Sequence, residues 1–526
     1  VARLLAHRGY ADERSAREFL TPSHEALRKS ILQGTPELYE RLLKARRDQE
    51  AVLVYGDPDA DGVTGTAVLL QALIRMGLNA YYYIPGRERE YYGVQARALQ
   101  TARQSGISLI ITVDCGVVPP VVSRHLQESA IDIVLTDHHP PAVMADFQPF
   151  LFINPQLHDY PFPYLAGSGV AYKMADFIAR HEGFEVRDLL PLAAIGTLAD
   201  VMPPTGENRV VTRCGLDLLS EADAPALKVL REALRLPKTL TETEVAYRIA
   251  PLLNAPGRRG TPEEAVEFFL SSSEEAALSH FRALLQKNKE RKELSRGLLD
   301  EAIAQAEAFQ PKEVPVVYSD RWYQSVVSQI AGQLVGHLNR PAIVLSVSRI
   351  NSTARGSGRS LPGINLRAEV ERVARDLLED IGGHPEAFGV MMKLENLADF
   401  VRAMRTIRIS VDQDLLKVDS EVQAADLNPA FWKHLARLSP FGPLHPPPMF
   451  LIRKVRVLSV EGVGERGRHL RLTVEKEGRK WPAFLPEGGK QWSRLLGGTY
   501  SLVFSPSRDL FSYRPILEVR DLKAAV

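Results

Sequence analysis

Cysteine is nearly absent from the 526 residues. Cys115 and Cys214 are the only two, too few for a disulfide framework and in keeping with a reducing compartment. Net charge is lacking too: 65 Lys and Arg stand against 64 Asp and Glu, a formal balance of +1. No global basic field advertises a polyanion, so a nucleic-acid groove has to come from local clustering. No run approaches the roughly 18–20 consecutive apolar residues of a membrane span. The first residues, beginning at Val1, show no signal-peptide pattern. These absences lead us to expect a cytoplasmic protein with no membrane partner. A hydrophobic content of 45% and a charged content of 25% are those of an ordinary globular chain. The length suggests roughly three or four domains.

Texture divides the chain into five parts. Residues 1–50 mix charged and apolar residues at helical spacing. From Ala51, short β-rich runs ("AVLVYGD", "LIITVDCG", "IDIVLTDHH") alternate with helical patterns such as "GTAVLLQALIRMG". That alternation predicts βαβ units and a parallel sheet over 51–275. Residues 276–312 read as a long charged connecting helix, a solvated spacer between domains. A second, smaller α/β unit is expected over 313–411. The Pro-rich "SPFGPLHPPPMF" then leads into five short alternating strands within 412–526, which predict an OB-fold β-barrel.

Chemistry gathers in the first α/β unit. Each of its β-rich runs ends in acidic residues, and sites in parallel sheets lie beyond the carboxyl ends of the strands. "DPDADG" carries Asp57, Asp59 and Asp61 at alternate positions. Three carboxylates so close repel one another unless cations neutralise them, and oxygen-rich clusters suit hard divalent ions. The spelling matches the start of an EF-hand loop, but Val68 stands where the bidentate Glu is required. Asp114 in "VDCG", Asp137, His138 and His139 in "TDHHP", and Asp200 in "GTLADV" complete a set of carboxylates and imidazoles. Each alone could be a cap or a turn residue. Together they form a ligand set for two metal ions, suited to in-line attack on phosphorus. The mixture of carboxylate and imidazole leans to Mn²⁺, with Mg²⁺ as the alternative.

"DPDADG", "VDCG", "TDHHP" and "GTLADV", in this order, resemble the four motifs of the DHH phosphoesterase superfamily. "GSGRS" and "GGHPEAFG" in the second unit resemble the DHHA1 domain. The run "RIAPLLNAPGR" and the barrel-like end narrow the resemblance to the RecJ family of bacterial exonucleases, which degrade single-stranded DNA from the 5′ end. The resemblance implies metal ligation by Asp57, Asp59, Asp61, Asp114, His138 and Asp200, with Asp114 bridging two ions. It implies catalytic roles for Asp114, His138 and His139, the last nearest the scissile phosphate, and Asp137 orienting a histidine. It also implies functions in DNA repair and recombination. Single-strand-binding protein and a RecQ-type helicase are the partners it suggests, and a monomer is expected. Three departures stand out. Tyr55 replaces a histidine found in many DHH proteins, Tyr323, Ser325 and Ser328 stand where His-x-Gly and Gly are often found, and Leu444–His445 replace the usual Gly-Asn.

For the polymer grip, "STARGSGRS" offers Arg355, Ser357, Arg359 and Ser360 on a glycine-rich backbone whose open N–H groups would suit a phosphate. A flexible polar loop is the plainer reading. His384 follows a Gly pair, which alternatively makes a turn ahead of a helix. Arg87, Tyr92 and Arg258 are further candidates, Tyr92 for stacking on a base. The barrel adds a basic cluster that includes Arg453, Lys454, Arg468 and Arg471. The expected activity is two-metal, 5′→3′ hydrolysis of single-stranded DNA. A DHH oligoribonuclease or cyclic-dinucleotide phosphodiesterase and a non-catalytic single-strand-binding scaffold remain the alternatives.

Overall fold

The structure is a computed structural model. It describes residues 1–86, 93–141, 147–257, 261–361, 363–408, 416–464, 467–486, 488–491, 495–509 and 512–525. Five strands, β1 (Ala51–Gly56), β2 (Asn79–Tyr83), β3 (Ile107–Val113), β4 (Asp132–Thr136) and β5 (Leu151–Ile153), form a parallel sheet in the order β2-β1-β3-β4-β5. Their apolar runs are nearly unbroken because helices cover both faces. Ala60–Arg75, Gly167–Glu182 and Leu190–Ala199 pack on one face, and Ala96–Gln104 and Pro120–Gln127 on the other. The strand order reverses between β1 and β3. The loops after these two strands therefore open a crevice at the carboxyl edge of the sheet, the place where α/β folds bind ligands.

The N-terminal helical stretch is divided between two cores. Leu27, Leu38, Leu42 and Ala45 pack into the core of the parallel-sheet domain, whereas Leu4, Leu5 and Phe19 pack into that of the barrel. Arg209, 2% exposed, holds this junction together. Its guanidinium donates to the carbonyls of Phe19 (3.1 Å), Leu438 (2.9 Å) and Arg437 (2.9 Å) and lies 4.1 Å from the Phe19 ring centroid.

The helix Glu274–Ala306 is more than a solvated spacer. Ala277, Phe281 and Leu284 belong to the first core, Ala302 and Ala306 to a cluster of the second domain. The long charged sequence conceals these two short apolar ends. The second domain has the strands β6 (Val316–Ser319), β7 (Ala342–Ser348), β8 (Thr353–Arg359), β9 (Asp380–His384) and β10 (Ala387–Lys393), in the order β6-β7-β8-β10-β9.

At the C-terminus, β11 (Ser420–Glu421) flanks β12 (Phe450–Val463), β13 (His469–Lys476), β14 (Arg479–Leu485), β15 (Thr499–Arg508) and β16 (Pro515–Ala524). Pairing of β12 with β15 closes the last five into a barrel consistent with an OB-fold. The barrel touches both α/β domains. Arg508 donates to Thr239 O (3.0 Å) and Tyr513 to Arg235 O (2.9 Å), while the Arg468 guanidinium lies over Gly336.

Candidate metal centre

The acidic loop after β1 runs straight into a helix. Asp59 caps that helix, accepting from the N–H groups of Asp61 (3.0 Å) and Gly62 (3.2 Å), a strong helix-start arrangement. Asp61, the second residue of that helix, is 1% exposed and accepts from the N–H groups of Gly167 (2.7 Å) and Ser168 (3.0 Å). Asp57 is buried at the strand end. Asp114, just past β3, has φ +59°, a left-handed conformation uncommon outside glycine and found at functional sites. Asp200 ends the helix Leu190–Ala199 rather than a strand.

These side chains converge. His138 Nε2 lies 3.2 Å from Asp114 Oδ1, 3.4 Å from Asp200 Oδ2 and 3.9 Å from Asp61 Oδ2. Asp57, Asp59 and Asp114 form a second group of converging oxygens, and Asp114, Asp137, His138 and His139 a third. Asp114 is common to the last two, at the junction between them.

The donor set fits divalent cations. Among the described residues, Asp114 Oδ1 and both ring nitrogens of His138 are buried without a well-formed hydrogen bond, although His138 Nε2 and Asp114 Oδ1 lie within 3.2 Å, an arrangement costly in a neutral interior. Burial, with the Asp61, Asp59 and Asp57 charges, holds the Asp114 carboxyl well above the usual range. Burial and the same neighbouring acids push Asp200 up to about 8. Cations reverse this cost.

The two histidines differ. Burial, reinforced by His139, lowers His138 to about 4, leaving a neutral imidazole, the form that binds metal. Burial also opposes charge on His139, but the Asp137 carboxylate overcomes it and raises His139 to about 9. Asp137 Oδ1 accepts from His139 Nδ1 at 2.9 Å, and 42% of the His139 side chain is exposed.

Tyr55 lies away from this cluster. Its ring packs in the core on the far face, stacked 5.7 Å from Tyr83, and its hydroxyl donates to Gly93 O (2.9 Å). Three glycines whose role composition did not reveal let the cluster close. A Cβ at Gly62 would meet Asp57 O at 2.3 Å, one at Gly167 Asp114 Cβ at 2.6 Å, and one at Gly196 Asp61 Oδ1 at 2.5 Å. Asn254, with no charge to mark it, also supports the site. Its Oδ1 accepts from Ala60 N (2.7 Å), and Gly257 lies against Pro58, so the "LLNAPG" run braces the acidic loop.

The second domain corrects one expectation. "TARGSGR" is a central strand, not a loop with open N–H groups, and it pairs with β7 and β10 along its length. The glycines suit close packing: a Cβ at Gly358 would meet the Phe388 ring at 2.3 Å. Ser357 is buried and donates to Phe388 O (3.1 Å). The Ser360 N–H is bound to Glu386 O (2.9 Å), while its buried Oγ has no partner among the described residues. "GGHPEAFG" is a β-hairpin, not a turn ahead of a helix. Ala387 pairs with Arg359 on one side and His384 on the other, so these two side chains share a face of the sheet. Burial alone lowers the Arg359 pKa, and the His384 charge is felt at His138. His384 therefore lies within electrostatic reach of His138. Arg87, Tyr92 and Arg258 lie outside the described residues. In the barrel, Arg453 and Arg471 are paired with Glu421 (3.1 Å) and Asp509 (3.0 Å).

Comparison with known proteins matches residues 51–197 to the DHH family, N-terminal domain, 312–407 to the DHHA1 domain and 418–520 to the RecJ OB domain. The single-stranded-DNA-specific exonuclease RecJ of Salmonella typhimurium is 31% identical over 509 residues, 91% of this chain and 87% of the relative. The chain belongs to the RecJ family. The RecJ of Bacillus subtilis is 34% identical over 489 residues, and this chain spans 61% of its length. The crystal structure of Thermus thermophilus RecJ in complex with Mn²⁺ superimposes with a TM-score of 0.82 at 26% identity, covering 100% of this chain and 76% of that one. Among the described residues, no helix of this RecJ-family chain is long and apolar enough to cross a membrane.

Proposed function

We propose that the chain is a metal-dependent exonuclease that hydrolyses single-stranded DNA from the 5′ end. The observation that carries this reading is the cluster of converging carboxylates and imidazole at the switch point of the parallel sheet. Asp57, Asp59, Asp61, Asp114, His138 and Asp200 are the ligands, with Asp114 between two sites. Divalent ions held there, Mn²⁺ or Mg²⁺, supply positive charge that offsets the charge building on phosphorus and on the leaving oxygen.

The remaining steps belong to the protein's own groups. His138, neutral and buried, offers a ring nitrogen without competing for a proton. His139, charged and steadied by Asp137, points its exposed edge at the phosphodiester and stabilises its developing charge. Arg359, a half-buried cation, holds a second phosphate, and Ser360 Oγ and His384 complete that grip. Arg87, Tyr92 and Arg258 stay as further candidates, whereas Ser357 is withdrawn, its hydroxyl bound to Phe388 O and its strand paired on both sides. A terminal 5′-phosphate carries close to two charges near neutral pH, so an arginine-lined pocket prefers a strand end to a continuing chain.

Digestion of oligonucleotides labelled at either end, single- and double-stranded, tests this. A 5′-labelled single strand should release its label first, and a duplex should resist. Release of the 3′ label first would overturn the polarity.

On family resemblance we further place the protein in the cytoplasm, as a monomer, in DNA repair and recombination. Single-strand-binding protein and a RecQ-type helicase would be its partners. Co-purification with each checks the partnerships.

A further inference from the structure

The helix bearing Asp200 ends in a way that composition would not choose. The Met202 N–H bonds back to Thr197 O (3.1 Å) and the Val201 N–H to Leu198 O (3.3 Å). This is the Schellman pattern, and its left-handed position is ordinarily glycine. Here that position is Val201, with φ +58°. A β-branched residue is a genuine outlier in this conformation. Burial does not compensate for it, since Val201 is 62% exposed.

A second residue repeats the anomaly. Leu444, at φ +58° and 65% exposed, tips the turn closed by the paired Gly442 and His445 backbones (3.0 and 3.1 Å). That turn lies against the first segment: a Cβ at Gly442 would stand 2.8 Å from Pro204 Cδ and 3.7 Å from Met202 O. Tyr164 is likewise exposed, at 45%. The buried Asn208 amide donates both to Tyr164 O and to Pro203 O (3.1 Å), tying the two segments together.

Val201 directly follows Asp200, Tyr164 precedes by three residues Gly167, which packs on Asp114, and the Leu444 turn lies against Met202 and Pro204. Asp200, the residue before Val201, keeps 31% of its side chain exposed, whereas Asp61 and Asp114 keep 1% and 4%. We propose that Val201, Leu444 and Tyr164 form an apolar shelf that seats the faces of unpaired bases as the strand enters the metal centre. This rests on the single-strand exonuclease reading above. Aliphatic side chains engage base faces in this way where bases are unstacked, and contact with a π-face is indifferent to sequence. A paired and stacked base presents only its edges, so the shelf would also favour single strands. The fold itself would be served better by glycine at both left-handed positions.

The test uses Val201→Gly and Leu444→Gly in the full chain. Both variants should melt at or above the wild-type temperature and bind Mn²⁺ as the wild type does. Affinity for a fluorescent 5′-phosphorylated oligothymidylate, measured in Ca²⁺ to separate binding from cleavage, should fall about fivefold, the low end of base-stacking contributions. An oligonucleotide with abasic sites in its first positions should bind the wild type about fivefold more weakly and the variants no more weakly than the intact strand does. Affinities within twofold of wild type on intact strands, or equal sensitivity to abasic sites in all three proteins, would overturn the shelf. Digestion in Mn²⁺ is read separately: a wild type that binds strands without cleaving them overturns the nuclease reading while the shelf is still measured.

Discussion

Replacing Gly196 by alanine should cost this protein its metal more than its fold. The new Cβ would lie 2.3 Å from Ser168 Oγ, 2.4 Å from Thr64 Oγ1 and 2.5 Å from Asp61 Oδ1. All three neighbours are buried, so none can swing into solvent. In an open helix, Gly→Ala stabilises by about 1 kcal/mol. Overpacking costs about 1–3 kcal/mol, leaving a net loss of about 0–2 kcal/mol and a drop of a few degrees in Tm. The effect on the site is larger. Asp61 Oδ1 accepts the Ser168 N–H at 3.0 Å, and Oδ2 lies 3.9 Å from His138 Nε2. A push on Oδ1 turns the carboxylate away from His138 and Asp200. Disturbing the support of a metal ligand typically weakens metal affinity about 10–100-fold. Calorimetric titration of metal-stripped protein with Mn²⁺, beside a thermal melt, separates the two effects. A variant that melts a few degrees low yet binds Mn²⁺ as tightly as the wild type would refute this account of Gly196.

Three other outcomes are expected. Arg209→Met removes the donor to four carbonyls, those of Phe19, Arg437, Leu438 and Pro440. At about 1–3 kcal/mol for each buried group left unpaired, and with relief from burying a charge, it should destabilise by about 3 kcal/mol and expose residues 1–20 and 437–449 to limited proteolysis; an unchanged melt and digestion pattern would contradict this. His445 is held neutral by burial and by Arg8, its pKa lowered from 6.5 to about 3. A depressed histidine stabilises the fold fully above pH 6.5 and loses that contribution as pH falls towards 3. Tm should therefore decline on acidification below 6.5, and less so in His445→Asn; parallel curves would show that His445 plays no part. Arg359→Ala should slow digestion of 5′-phosphorylated strands about 10–100-fold, the value of a charge-assisted bond of roughly 1.5–3 kcal/mol, and 5′-hydroxyl strands much less. An equal loss on both would make Arg359 a general backbone contact.

The sequence carries the architecture where periodicity decides it. Apolar runs ending in Asp mark β1, β3 and β4, and the parallel sheet puts their ends on one edge, so the cluster of Asp57, Asp114 and His138 could be anticipated. Other features depend on packing between distant segments. Asp200 reaches the site from a helix end, through contact of its helix with Ala60–Arg75. The glycines at 62, 167 and 196 matter only because another chain segment passes within a Cβ's reach. The β8 strand reads as a loop because glycine is depleted in strands; the Phe388 ring fills the space its side chains would occupy. The divided burial of residues 1–50 is invisible locally, since Phe19 and Leu38 look alike until two different cores claim them.

The central claim is that the Asp and His cluster holds the metal that cleaves single-stranded DNA. Asp114→Asn preserves size beside Gly167 while removing the charge shared by two of the converging groups. Digestion of a 5′-phosphorylated single strand should proceed with Mn²⁺ in the wild type, stop with EDTA, and be all but abolished in Asp114→Asn, while the variant binds the same strand nearly as well. Retention of more than about a tenth of the wild-type rate, a loss of under ~1.4 kcal/mol in barrier height, would contradict it.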